Sequence, residues 1–120
     1  MKLPTYMKRF AANRIYRLDT QQEIRNGVVE LEDTSHEVLR TFSLEEEIQH
    51  TEWLGGLILI CKQVPQQHAH EKFAAFMTRI KAEESSSESS LESTLFHAYH
   101  ITAFNVSSME FTQESRIVAL

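Results

Sequence analysis

Two pairs of closely spaced histidines are the residues of this 120-residue chain best suited to binding a metal. Paired imidazoles can share a divalent ion when they lie on one side of a strand. His68 and His70 have this spacing, but in a first helical turn their side chains would lie about 200° apart. His97 and His100 would lie on opposite faces of a strand. We therefore expect no metal site, and these four histidines, with Glu71, are the ligands that a small metal-dependent hydrolase or metal binder would use.

Cys61 is the only cysteine, so it cannot form an internal disulfide, and the chain suits a reducing, cytoplasmic compartment. Its position at the end of an aliphatic run predicts a buried thiol rather than a nucleophile. The sequence has no glycine-rich phosphate loop and no serine nucleophile elbow, so we assign no catalytic residue and no cofactor. The net charge of −5 argues against a nucleic-acid partner. No apolar run approaches the ~20 residues that cross a bilayer, so no membrane partner is expected.

The elements that would position these residues are organised around one aliphatic stretch. Residues 52–60 combine the lone tryptophan, Trp53, with two of the three glycines and an unbroken apolar run. This composition predicts a buried strand that is entered through a tight turn at Gly55 and Gly56. Trp53 is expected to be buried with that strand.

Strands are also predicted on the N-terminal side of this stretch, where apolar and polar residues alternate. They cover residues 9–18, residues 28–32 and residues 37–42, and the last two form a hairpin. Asn26-Gly27 is expected to start the second of them. Ser43 and Glu46 have the spacing of a capping box, which predicts a short helical turn at residues 44–49.

One helix and one strand are predicted on the C-terminal side. Pro65 precedes a helix over residues 66–83, whose apolar stripe has spacings of three and four. The stripe comprises Ala69, Phe73, Phe76, Met77 and Ile80. Residues 84–91 are serines and glutamates, which predict a mobile loop. Residues 95–106 are apolar on both faces and predict a central strand that pairs with the N-terminal strands.

These elements predict one mainly β (α+β) domain over residues 1–120. N-terminal strands within residues 8–60 and the strand and tail at residues 95–120 would form a small β-sandwich, with the amphipathic helix packed on it. A ligand pocket between sheet and helix, lined by Trp53, Tyr99 and Phe76, is one alternative functional site.

Two short stretches resemble the start of the amidohydrolase superfamily, in its chlorohydrolase and cytosine-deaminase-like branch. They are the Arg-Asn-Gly-Val-Val of residues 25–29 and the Trp-Leu-Gly-Gly-Leu-Ile of residues 53–58, with Gly55 where the family usually has proline. Residues 105–116 are similar to the C-terminal tail of some members. The resemblance implies the family's accessory β-sandwich without its catalytic barrel. The family's metal-binding His-x-His should follow residue 58 directly, and His68 and His70 come too late to inherit that role.

The functional expectation follows from this missing barrel. We expect a non-catalytic accessory or interaction module that associates with itself, as a homo-oligomer, or with a complete amidohydrolase, because loss of a barrel exposes apolar surface. The metal-dependent hydrolase or metal binder and the small-ligand-binding domain are the alternatives.

Overall fold

The computed structural model describes residues 7–44, 51–86 and 95–120. The prediction of a mainly β domain with one helix packed on it is confirmed. The strands are β1 (Met7–Arg17), β2 (Gln22–Glu32), β3 (Val38–Ser43), β4 (Thr51–Trp53), β5 (Leu57–Cys61), β6 (His97–Ile101) and β7 (Ile117–Ala119), and the helix is α1 (Phe73–Ser86).

All of these strands belong to one mixed sheet with the order β3-β2-β1-β5-β6-β7. β4 and β5 lie one after the other along the same edge of β1, and both run parallel to it. The other neighbours are antiparallel. The expectation that the C-terminal strand joins the sheet of the N-terminal strands is therefore confirmed, although β6 covers only His97–Ile101 of the predicted residues 95–106.

The sheet is curled, so that β3, at one end of the sheet order, comes close to β6. Glu37, directly before β3, forms an antiparallel bridge with His97 of β6, and Val38 donates a backbone hydrogen bond to the Phe96 carbonyl at 2.8 Å. Since β2, β1 and β5 lie between β3 and β6 in the sheet order, this contact closes the sheet on itself at one end. The concave side is filled by one core cluster: Ala12, Ile15, Ile24, Val29, Leu31, Ile58, Ile60 and Ala98.

β2 begins six residues earlier than predicted, so Asn26-Gly27 lies inside the strand and does not start it. Asn26 has a φ of 47°, a left-handed conformation that asparagine tolerates better than most residues. Opposite this point, the β1 residue that faces the concave core changes from an even-numbered one, Ala12, to an odd-numbered one, Ile15. The register of β1 with β2 stays the same. Gly27 makes room for this change, because a Cβ there would lie 2.9 Å from the Ile15 Cδ1 atom.

β5 lies between two layers of the core. Leu57, Leu59 and Cys61 contact a second cluster, between the sheet and α1, whereas Ile58 and Ile60 point into the concave side. All five side chains are buried, so the prediction of a strand buried on both faces is confirmed. The helix contributes Phe76, Met77 and Ile80 to the second cluster.

The prediction that Trp53 is buried is wrong, since its side chain is 52% exposed. The aliphatic stretch is two strands, because Gly55 and Gly56, with φ of 71° and 64°, separate β4 from β5. Asn13 fixes this break: its Oδ1 accepts the Gly56 N–H at 2.8 Å. Trp53 thus belongs to the short strand before the glycines and not to the buried strand after them.

The helix begins at Phe73 and not at residue 66, and it ends at Ser86. Ala69 is therefore an exposed loop residue, outside the apolar stripe. The predicted mobile loop is wrong for residues 84–86, which are helical, and residues 87–94 lie outside the described residues. The helical turn predicted at residues 44–49 also falls outside them, except for residue 44.

Candidate functional site

The structure does not assemble the four candidate histidines into one site. His68 and His70 are exposed residues of the loop before α1, and His70 has a left-handed φ of 60°. They border an open polar cleft of about 560 Å³ between residues 67–72 and 110–116. His97 and His100 lie on opposite faces of β6, as predicted. Within residues 7–44, 51–86 and 95–120, no three histidine, cysteine, aspartate or glutamate side chains are grouped so that they could hold a metal ion.

His100 has a structural partner in the glycine break. Its Nε2 atom donates a hydrogen bond to the Gly55 carbonyl at 3.0 Å. Burial lowers the pKa of His100, because the charged imidazolium is poorly solvated there. The neutral ring thus holds the backbone between β4 and β5.

Glu71 is also occupied by structural contacts. Its carboxylate accepts hydrogen bonds from the Arg79 guanidinium, at 2.8 Å and 2.9 Å, and from the His68 backbone N–H at 3.0 Å. The hydrogen bonds from Arg79 lower the pKa of Glu71 to about 2. Arg79 also donates to the Gln66 carbonyl. Arg79 of α1 thus attaches residues 66–71, the segment that contains His68 and His70, to the side of the helix. These contacts hold the segment outside the helix itself.

Cys61 is a buried thiol, as predicted. Burial raises its pKa well above the ordinary value, and its Sγ donates a hydrogen bond to the Gln63 carbonyl at 3.2 Å. The thiolate that a nucleophile requires is therefore disfavoured at neutral pH.

The pocket predicted from Trp53, Tyr99 and Phe76 is not formed by those residues. Phe76 and Tyr99 are packed inside the cluster between sheet and helix, whereas Trp53 lies at the solvent-exposed end of β4. A groove does lie between the sheet and the helix, but other residues line it.

The free edge of β3 was not among the features predicted from the sequence. β2 occupies one side of β3, and on the other side, within the described part of the chain, the pairing is limited to Glu37 with His97 and Val38 with Phe96. The Leu44 N–H donates a hydrogen bond to the Asn26 carbonyl at 2.7 Å. This bond shows which residues of β3 are hydrogen-bonded to β2, because such residues alternate along an antiparallel ladder. Arg40 and Phe42 therefore direct their backbone groups towards β2, while Thr41 and Ser43 direct theirs away from the sheet.

Exposed leucines lie at the start of this edge. Leu39 sits at an irregularity in the β2–β3 register and is 47% exposed. Continuing the Glu37–His97 bridge by two residues puts Leu39 opposite Leu95, which is 43% exposed. One signal in the sequence could have indicated the edge: Val38–Ser43 shows no continuous apolar run of the kind that marks a central strand.

Two elements fix β3 in position. Arg17, at the end of β1, donates a hydrogen bond from Nη1 to the Thr41 Oγ1 at 3.1 Å. Arg40 of β3 also forms an ion pair with the buried carboxylate of Glu30, on the neighbouring strand β2. These two side-chain contacts attach β3 to β1 and to β2.

Comparison with known proteins gives no family for the chain. No protein-family model matches it, and no curated protein or solved structure shows significant similarity to it. In the described part of the chain, the helix is too short and too polar to cross a membrane.

Proposed function

We propose that this chain is a non-catalytic interaction module that binds a second copy of itself through the free edge of β3. The observation that carries the proposal is the row of outward backbone groups on Thr41 and Ser43. An exposed strand edge offers these groups to another strand, and main-chain hydrogen bonds then provide affinity.

The edge is complementary to itself. If two copies of β3 run antiparallel around a twofold axis at Phe42, Thr41 of one copy faces Ser43 of the other, and both residues carry outward N–H and C=O groups. This pairing forms four hydrogen bonds and is closed, as in most homodimers. The exposed Leu39 lies at the end of the paired region and adds apolar area to the contact.

A second copy is favoured over a larger partner because the same few residues supply both halves of the contact. The resemblance to an amidohydrolase accessory domain suggests a complete amidohydrolase as the competing partner, which would use the same exposed edge. The free, buried Cys61 suits a cytoplasmic setting for either association.

A proline substitution tests the edge directly. Ser43→Pro removes the outward N–H but no ladder hydrogen bond to β2, since that amide points away from the sheet. Ser43→Ala is the matched control, because it also removes the hydroxyl but keeps the N–H. We expect dimers for the wild type and for Ser43→Ala in size-exclusion chromatography with light scattering, and a dissociation constant raised about tenfold or more for Ser43→Pro.

Circular dichroism must show the same β content for all three proteins, so that loss of dimer is not loss of fold. A wild-type protein that stays monomeric at high concentration would overturn the proposal. A Ser43→Pro dimer as stable as the control would also overturn it. Binding of a complete amidohydrolase by a monomeric chain would replace the second copy as the partner.

A further inference from the structure

A groove of about 560 Å³ lies on the opposite side of the sheet from the concave core, beside the first half of α1. The helix forms one wall, the end of β1 and the start of β5 form the floor, and the loop at residues 108–110 forms the other wall. The volume is in the range of small-molecule sites. Its apolar lining comprises Tyr16, Leu57, Phe73, Ala74, Met77 and Met109.

Three charged side chains border this groove, and two of them are already balanced. The Glu110 carboxylate accepts the N–H of Phe73, at the first turn of α1, at 2.7 Å and that of Phe111 at 3.2 Å. Glu23 forms an ion pair with Arg14 at 3.3 Å. Both carboxylates therefore have positive partners, from the helix N-terminus in one case and from the guanidinium in the other.

Lys81 is the third charge, and no carboxylate in the described part of the chain pairs with it. Its Nζ lies 4.9 Å from the centroid of the Tyr16 ring, a cation–π contact that keeps the ammonium at the groove. The ring and the ammonium lie at the same end of the groove, with Met77 one turn back along the helix. The groove thus combines an apolar surface with one available positive charge.

We propose that this groove binds a small organic monocarboxylate with an apolar body. The carboxylate would pair with the Lys81 ammonium, and the apolar body would lie along the partly exposed side chains of Tyr16, Phe73 and Met109. The inference is independent of dimerisation, because no groove residue belongs to the free edge of β3.

Octanoate is a suitable probe, with octanol and octylammonium as chain-matched controls of neutral and positive charge. Isothermal titration calorimetry below micellar concentrations should give the tightest binding for octanoate. Lys81→Met keeps most of the side-chain length and removes the charge, so we expect about tenfold weaker octanoate binding and little change for octanol. Lys62→Met is the matched control, because Lys62 lies over the Phe96 ring, outside the groove.

A second variant tests the location. Ala74 is an exposed helix residue on the groove wall, and Ala74→Trp should fill the apolar part and abolish binding of octanoate and octanol alike. Its thermal unfolding should stay close to that of the wild type. Equal affinity for octanoate and octylammonium, or octanoate binding unchanged in either Lys81→Met or Ala74→Trp, would overturn the proposal. Ser43→Pro should bind octanoate as the wild type does.

Discussion

β5 and β3 are two short strands of the same sheet, and their environments are opposite. All five residues of β5 are buried, between parallel β1 and antiparallel β6 and between two core clusters. None of the six residues of β3 is fully buried. β5 is thus held by apolar contacts on both faces, whereas β3 is held by its ladder to β2 and by the side chains of Arg17 and Glu30. Within the described part of the chain, β5 thus lies in the core of the sheet, whereas β3 lies at an exposed edge.

Leucine truncation in the two strands tests this difference most strongly. Leu59→Ala leaves a cavity between the sheet and α1, and we expect a loss of about 2–5 kcal/mol in the free energy of unfolding. Leu39→Ala, at the exposed start of the β3 edge, should cost about 0.5 kcal/mol or less. Urea denaturation of both variants gives the two values. Comparable losses would mean that β3 carries as much of the core as β5.

The entry into β5 gives a second, intermediate effect. Gly56 has a positive φ, and a Cβ on it would lie 3.1 Å from the Ile101 carbonyl oxygen of β6. Gly56→Ala should therefore cost about 1–3 kcal/mol, from backbone strain and from the shift of β6. Gly55 also has a positive φ, but its nearest neighbours would be 3.6 Å away, so Gly55→Ala bears only the strain. We expect the Gly56 variant to be the less stable in thermal unfolding, and the reverse order would contradict this placement of β6.

Some of this arrangement could be predicted from the sequence and some could not. The burial of β5 was predicted because five consecutive apolar residues have no solvent-facing position. The exposure of Trp53 was not. The two glycines predicted a turn, but the placement of Trp53 on a separate, exposed strand before that turn goes with a contact between Asn13 and Gly56, which are 43 residues apart. Likewise, the start of α1 depends on Glu110, which is 37 residues away from Phe73. Long-range polar contacts of this kind leave no periodic pattern in the sequence.

The candidate sites divide in the same way. The separation of His97 from His100 followed from strand geometry alone, and the buried thiol of Cys61 followed from its aliphatic neighbours. The edge of β3 and the groove beside Lys81 depend on which strands become neighbours. A hairpin pattern predicts that β3 pairs with β2, but it does not tell whether another strand covers the other side.

The smallest expected effect concerns the polar attachment of β3. Arg17 donates hydrogen bonds to both Asp19 oxygens, at 2.8 Å and 3.0 Å, and the same guanidinium contacts Thr41 of β3. Its hydrogen bonds lower the pKa of Asp19. The carboxylate is thus more acidic in the folded chain, so its contribution to stability is complete above about pH 4, the ordinary aspartate pKa, and is lost as the pH falls below it.

Asp19→Asn should therefore lower the free energy of unfolding by about 0.5 kcal/mol at neutral pH, as expected for an ion pair near the surface. The difference from the wild type should shrink on acidification below pH ~4 and in high salt, since it depends on a charge that is partly solvated. Asp33→Asn, in the exposed turn between β2 and β3, is the matched control and should leave the free energy of unfolding close to the wild-type value at neutral pH. A difference that persists at low pH would mean that Asp19 acts through packing. Packing contacts, as in β5, would then stabilise the attachment of β3 more than its charged contacts do.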